Sequence, residues 1–320
     1  MSATLSRIAA LVLFLWTPLP VRADKIDTEH LFVFTIGTDP GELGEKEIEG
    51  QSTGRFGKRD GSYTGFSQMF SAEVTPVENL RLEVGAASIY HDISGVTGLD
   101  DRRRGGWQAL SLDVRYRLLD REQTSFGLLI DAEPRWARID ETSGEPVNHY
   151  GIDLSIAIDK EIIPNRVVVA FNMLYGPEVS RSRATGITSH ESTLGFSTAL
   201  MTQVRPGIFF GIEARYFRRY EGLGLDTFAG HAVFLGPTIY ANLSERSWIA
   251  AGWSTQVAAE RLTIRDGSIS PISSGMKRDF DSALAFDEQP PALSRNPTSD
   301  AGIDNGRRLL SPDLHLEYRF

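Results

Sequence analysis

The chain of 320 residues contains no cysteine. That excludes disulfide staples and thiolate metal sites, and it suits a compartment in which stray thiols would oxidise. Long hydrophobic runs are missing too. Beyond the first two dozen residues no apolar stretch approaches the roughly 18 residues that a membrane-spanning helix needs. Basic charge is in deficit, with 33 Lys and Arg against 42 Asp and Glu and a net charge of −9. This argues against nucleic acid as a partner. There is no P-loop, no Rossmann glycine fingerprint and no HExxH. The acidic pairs and clusters at Asp100, Asp101, Asp279, Asp281 and Asp287 lack EF-hand spacing and read as solvated loops. Neither a metal nor a cofactor is expected. Apolar and aromatic residues, at 41% and 10%, are too many for a disordered chain.

Residues 1–23 read as a signal peptide. Arg7 supplies positive charge, Ile8 to Trp16 form a short apolar run, and Val21-Arg22-Ala23 fits a small-residue cleavage site. Cleavage near Ala23 removes Arg7 and Arg22 and no acid, which leaves 31 basic residues, 42 acidic ones and a charge of −11. Residues 24–45 are expected to form an N-terminal periplasmic segment, and residues 46–320 the folded body.

That body repeats one pattern. Segments of about ten residues or more alternate apolar and polar side chains and are separated by turn residues, as in a membrane β-barrel. In 108–119, Leu110, Leu112, Val114, Tyr116 and Leu118 share one face, and Ser111, Asp113, Arg115 and Arg117 share the other. Similar alternation marks 79–91, 124–136, 149–160 and 207–220. The expected strands are 46–55, 62–74, 79–91, 106–119, 123–136, 148–160, 165–177, 189–202, 207–220, 229–242, 246–258 and 308–320. Twelve strands satisfy the even count of a bacterial single-chain barrel. Their connections alternate between tight (75–78, 120–122, 162–164, 205–206, 243–245) and longer (56–61, 92–105, 137–147, 178–188, 221–228, 259–307). The fold expected is all-β: a single closed antiparallel transmembrane barrel with short periplasmic turns and longer extracellular loops, in the outer membrane.

With apolar positions facing lipid, the lumen carries a ladder of both signs: Glu47, Glu49, Arg81, Glu83, Asp113, Arg115, Arg117, Asp131, Glu133, Arg135, Glu213, Arg215, Glu317 and Arg319. Such charges either pair and brace a small barrel or line a selective path for a small polar solute. Pairing is the less costly arrangement in a confined interior. The expectation is that the lumen conducts such solutes slowly or not at all. Aromatics near strand ends (Tyr63, Tyr90, Trp107, Trp136, Tyr150, Tyr175, Tyr220, Trp248, Trp253) suit an interfacial girdle. Arg102-Arg103-Arg104, placed in an external loop, is a candidate for contact with lipopolysaccharide phosphates.

The chain ends with apolar residues at alternate places, Leu314, Leu316, Tyr318 and Phe320. Leu316, Tyr318 and Phe320 are similar to the C-terminal signal by which outer-membrane barrels meet their insertion machinery. Phe320 is expected to close the count by pairing its strand with the first, near Glu47 to Arg55.

Glu29-His30-Leu31-Phe32, Thr38, Gly44-Glu45-Lys46-Glu47-Ile48-Glu49, the segment around Tyr63, Leu80-Arg81-Leu82-Glu83-Val84 and Leu112-Asp113-Val114-Arg115-Tyr116-Arg117 carry a resemblance. They resemble an uncharacterised Gram-negative outer-membrane family described only as a conserved family of unknown function. The resemblance spans about 120 residues, and Gly236-Pro237-Thr238 and Phe320 also look familial. A looser similarity exists to outer-membrane transporters linked to aromatic-compound degradation. These motifs lie at strand starts and turns, so they imply fold and location and carry no catalytic residue.

Two other readings stand beside a non-catalytic channel or surface-binding barrel. His190 and Ser192 share one face of a strand and would serve an outer-membrane lipid hydrolase, although no flanking motif of such enzymes accompanies them. A soluble periplasmic β-sandwich that binds a ligand is the third.

Overall fold

Side chains that alternate with period two leave each strand one apolar and one polar face, and the backbone bonds can then be met only by neighbouring strands. The computed structural model describes residues 26–58, 60–244, 247–265, 268–271 and 312–319. Its strands are β1 (Lys46–Phe56), β2 (Ser62–Val77), β3 (Leu80–Ser94), β4 (Arg102–Leu119), β5 (Gly127–Ile139) and β6 (Pro146–Ile163). They continue with β7 (Val167–Ser182), β8 (Thr188–Arg205), β9 (Ile208–Glu221), β10 (Thr227–Ser244), β11 (Ser247–Arg265), β12 (Ser268–Pro271) and β13 (Pro312–Arg319). From β1 to β11 every strand pairs antiparallel with the next, giving an eleven-stranded sheet that curls along its length. The backbone of β13 pairs with β1, from Glu49 with Arg319 to Arg55 with Asp313. It also pairs with β11, from Ile249 with Tyr318 to Thr255 with Pro312.

The convex face is apolar. Val84, Leu110, Leu112, Tyr116, Ile130, Leu154, Ile156, Phe171, Phe210, Ile212 and Ile239 are all exposed. The concave face buries polar and charged groups, among them Glu47, Glu73, Arg81, Glu83, Asp113, Asp131, Asp159 and Glu213. A water-soluble sheet would have the reverse, because exposed apolar area of this extent needs an apolar surrounding.

The strand order follows the sequence expectation, but the edges differ. Most strands run further toward the long-connection end, so the expected loop 92–105 shrinks to 95–101 and 178–188 to 183–187. Arg102-Arg103-Arg104 therefore stands in β4, opposite Ile93, Asp92 and His91, and not in a loop. The tight turn expected at 120–122 extends to Phe126, because the amides of Gln123 and Thr124 bond back to Asp120 O. In the expected loop 259–307, β11 continues to Arg265 and β12 folds back on it, pairing Leu262 with Pro271. Two tight turns hold asparagine at positive φ, Asn79 at 68° and Asn165 at 54°, where a short polar side chain tolerates the left-handed conformation. Among the described residues no helix is long and apolar enough to cross a membrane.

Candidate functional site: a plugged interior

Residues 24–45 were expected to form an N-terminal periplasmic segment; those described, 26–45, lie against the concave face, at the end carrying the short turns. The reason is in the sequence. Leu31-Phe32-Val33-Phe34 is an unbroken apolar run that a solvated tail would expose. Here Ile26, Leu31 and Phe32 pack on Val168, Ala170, Ala199, Met201 and Phe209, while Val33 packs with Trp248 and Ala250. The segment doubles back on itself, the amide of Thr28 bonding Asp39 Oδ2 at 2.9 Å. It thus has the closed form of an Ω-loop, compact and pinned at its ends. Glycine makes room for it. A Cβ on Gly252 would sit 2.8 Å from Phe34 Cε2 and 2.9 Å from Val33 Cγ1, and one on Gly127 would overlap Thr38 Oγ1.

Inward-facing charges hold this plug through its backbone. Glu213 accepts from the amides of Val33 (2.8 Å) and Phe34 (3.0 Å) and from Thr238 Oγ1 (2.7 Å). The Asn172 carboxamide pairs with both sides of the Ile36 peptide unit, accepting at 2.6 Å and donating at 2.9 Å. Asp159, only 1% exposed, accepts from Thr28 Oγ1 (2.7 Å), Thr38 N (2.8 Å) and Thr38 Oγ1 (2.8 Å). Arg121 reaches in from its turn to bridge Asp159 (3.1 Å) and Asp39 (2.5 Å) and to donate to Ile26 O. Burial opposes the charge on Arg121, but Asp39 and Asp159 outweigh it and hold the guanidinium above its ordinary range. A buried ion pair survives more readily when its remaining hydrogen-bonding sites are met, and the Thr28 and Thr38 hydroxyls meet those of Asp159 here.

Nearer β1 and β2, Glu29 faces Arg81 at 3.4 Å, and Arg81 also engages Glu83 at 2.9 Å and Glu73. Burial pushes the Glu29 carboxyl well above the usual range, with Arg81 opposing the shift. His30 stands beside it, with Nε2 3.2 Å from Glu47 and Nδ1 2.9 Å from Glu49.

Beyond the plug lies a cavity of about 640 Å³, floored by Phe32 to Ile36 and walled by groups such as Glu133, Arg135, Asp153, Glu178 and Arg219. Its far rim is the connection 140–145, which folds over the concave face. Tyr63 Oη donates to Thr142 O (2.9 Å), His91 Nε2 bonds Glu141 O (2.9 Å), and Arg102 donates to Gly144 O (2.8 Å). Glu141 pairs with Arg55, whose charge holds the Glu141 carboxyl below its ordinary value.

The sequence-expected ladder divides by position. Glu47, Glu49, Arg81 and Glu213 contact the plug segment, as does Arg215, whose guanidinium lies 4.1 Å from the Phe34 ring centroid. Arg117 reaches Asp39 at 3.2 Å. Glu83, Asp113, Arg115, Glu133 and Arg135 line the cavity, where Arg115 pairs with Asp113 at 2.6 Å and Arg135 with Asp153 at 3.4 Å. Asp131 is buried on the same face. Glu317 and Arg319 occupy β13, opposite Gln51 and Glu49. Leu316 and Tyr318 occupy β13 as well, and Phe320 lies outside the described residues.

Sequence reasoning missed His30, Asp39, Arg121, Asp159 as an anchor, and Asn172; the apolar run 31–34 ahead of the first strand was the available signal. Of the expected girdle, Tyr90, Trp107, Tyr150 and Trp253 are exposed. Tyr63 and Trp248 instead point inward, the first capping Thr142 and the second stacking on His30 with centroids 4.3 Å apart. Ser192 is fully buried and donates to Gly224 O (2.6 Å), while His190 is exposed. No bond joins them as nucleophile and base.

Residues 24–268 match the model of a family of unknown function, DUF6662. A comparison with curated proteins gave no match. Among solved structures, an outer membrane channel from Pseudomonas putida F1 is 11% identical, with 88% of this chain and 98% of that one aligned and a TM-score of 0.54. The translocator domain of the autotransporter NalP from Neisseria meningitidis is 12% identical over 88% of this chain and 91% of that one, with a TM-score of 0.45. At such identities the first likeness establishes the fold, that of outer-membrane β-barrels.

Proposed function

The chain belongs to that family of unknown function, and from that premise we propose that it is a closed twelve-stranded barrel of the outer membrane, a narrow, plugged conduit for a small polar solute without catalysis. The double pairing of β13, with β1 and with β11, supports closure. The apolar convex face and the neighbouring folds support the outer membrane. Lipid meets that face, and Arg103, which projects at the long-connection end beside Tyr90 (3.0 Å), is offered to lipopolysaccharide phosphates. One observation carries the conduit reading. The plug lies on the interior wall, held by polar side chains and by two apolar clusters, and it closes one end of a 640 Å³ chamber that presents both charge signs. A connection that lies on the sheet rather than within it opens at a lower cost than the strands themselves.

The test is planar-bilayer recording of the full mature protein beside a variant lacking residues 26–39. The wild type should conduct weakly or in rare brief openings, and the deletion should give frequent openings of larger conductance. Large, stable, ohmic channels from the wild type would overturn the reading. So would a silent deletion variant that keeps the heat-modifiable mobility of a folded barrel.

A further inference from the structure

His30 is fixed where the plug crosses β1 and β2. Its ring is stacked on Trp248 at an interplanar angle of 15°. Its Nδ1 faces Glu49 Oε1 at 2.9 Å. Its Nε2 has around it Glu47 Oε2 at 3.2 Å, Glu73 Oε1 at 3.7 Å and Glu29 Oε2 at 3.8 Å. The side chains of His30, Glu47, Glu73 and Glu29 are all nearly buried. One candidate ligand atom each from His30, Glu47, Glu49 and Glu73 can be chosen so that all lie within 4.8 Å of one another.

Zinc–ligand bonds of about 2.0–2.2 Å in a tetrahedron set neighbouring ligand atoms about 3.3–3.6 Å apart, and the separations around Nε2 straddle that range. A metal-bound histidine ordinarily gives its other N–H to a carboxylate, which fixes tautomer and ring orientation. Glu49 stands in that place. One imidazole with carboxylates suits Zn²⁺ or a similar divalent transition ion, whereas an all-oxygen set would suit Mg²⁺ or Ca²⁺.

We propose that His30 Nε2, Glu47 and Glu73 bind a divalent transition cation of the Zn²⁺ class, with Glu29 completing the shell and Glu49 orienting the imidazole. His30 and Glu29 belong to the plug; Glu47 and Glu73 belong to the wall. The ion is therefore a bolt between them, and it adds to the plug's retention with the logarithm of the ratio of its concentration to its dissociation constant. The inference rests on the position of the plug and holds whether or not the interior conducts.

The full mature protein, folded in detergent and stripped with chelator, is titrated calorimetrically with ZnCl2 near neutral pH. One Zn²⁺ per chain is expected, with X-ray absorption showing a single imidazole among oxygen ligands at about 2.0–2.2 Å. His30→Gln and Glu73→Gln should lose binding at least 100-fold. Glu49→Gln, which removes only the orienting partner, should weaken it by about 10- to 100-fold. Asp226→Asn, on an exposed connection, should bind as the wild type does. Heat-modifiable mobility identifies variants that fail to fold. Two results would overturn the site: a folded wild type that takes up no stoichiometric Zn²⁺ and holds His30 doubly protonated between its carboxylates, or binding that survives His30→Gln unchanged.

Discussion

Asp159 accepts from Thr28, Thr38 and Arg121 together, and removing it gives a sharp test of how the plug is held. Asp159→Ala deletes an acceptor for Thr28 Oγ1, Thr38 N and Thr38 Oγ1 and takes one of three carboxylates from Arg121. Breaking a buried, hydrogen-bonded ion pair costs about 3–5 kcal/mol. The lower end applies here, because Asp39 still faces Arg121 at 2.5 Å and Thr28 Oγ1 still accepts from Thr38 N at 3.2 Å. About 3 kcal/mol corresponds to an undocked fraction raised roughly 150-fold. The natural absence of cysteine supplies the assay. Thr35→Cys, at a buried plug position, gives a single thiol whose reaction with a membrane-impermeant maleimide reports the undocked population when opening and closing are fast. In the Asp159→Ala background its labelling rate should rise about 100-fold or more. Asp159→Asn, which keeps one acceptor, should fall between. A rate within about threefold of the parent in the alanine variant, or full-speed labelling in the parent itself, would refute the reasoning.

Gly252→Val places methyl groups where Val33 and Phe34 already lie; overpacking of about 1–3 kcal/mol should raise Thr35→Cys labelling by about 5- to 150-fold with the barrel intact. The connection 140–145 should respond to acid. The folded carboxyl of Glu141 titrates below its ordinary value, so its stabilising contribution is complete above about pH 4.3 and is lost as the pH falls through the lower folded value. A spin label on Ser143→Cys should therefore gain mobility only in that acid range, and Arg55→Ala should remove the transition; a midpoint above pH 5 would contradict the assignment. Deleting Phe320 should impair insertion and leave periplasmic aggregates, checked by fractionation, with normal membrane yield as the contrary result.

The strands were legible because the period-two alternation in segments such as 108–119 has one physical solution when one face meets lipid and the other does not. Asp113 and Arg115, which that parity assigns to the polar face, line the cavity. Strand ends were less legible. Arg102-Arg103-Arg104 looks like a loop by composition, but pairing with β3 supplies backbone bonds that composition does not encode. The plug was hidden for a different reason. Arg121 is brought to Ile26, Thr28 and Asp39 by folding across sequence separations of 82 to 95 residues, and no local period records such contacts. His30 likewise becomes a candidate ligand only once Trp248 and the glutamates of β1 and β2 surround it.

The plug precedes every strand in the chain, yet it is the last to find all its partners. Val33 bonds Glu213 across a sequence separation of 180 residues, Ile36 bonds Asn172 across 136, and Thr28 bonds Asp159 across 131. Contacts of that range are slow to form, because the loop-closure entropy is spent before any of them pays back. A growing sheet cut short before β9 would own the plug but not Glu213, and its amides at Val33 and Phe34 would go unmet. The anchors thus make completion of the sheet a condition for seating this segment: a sheet assembled with strands missing or misregistered would leave its plug undocked.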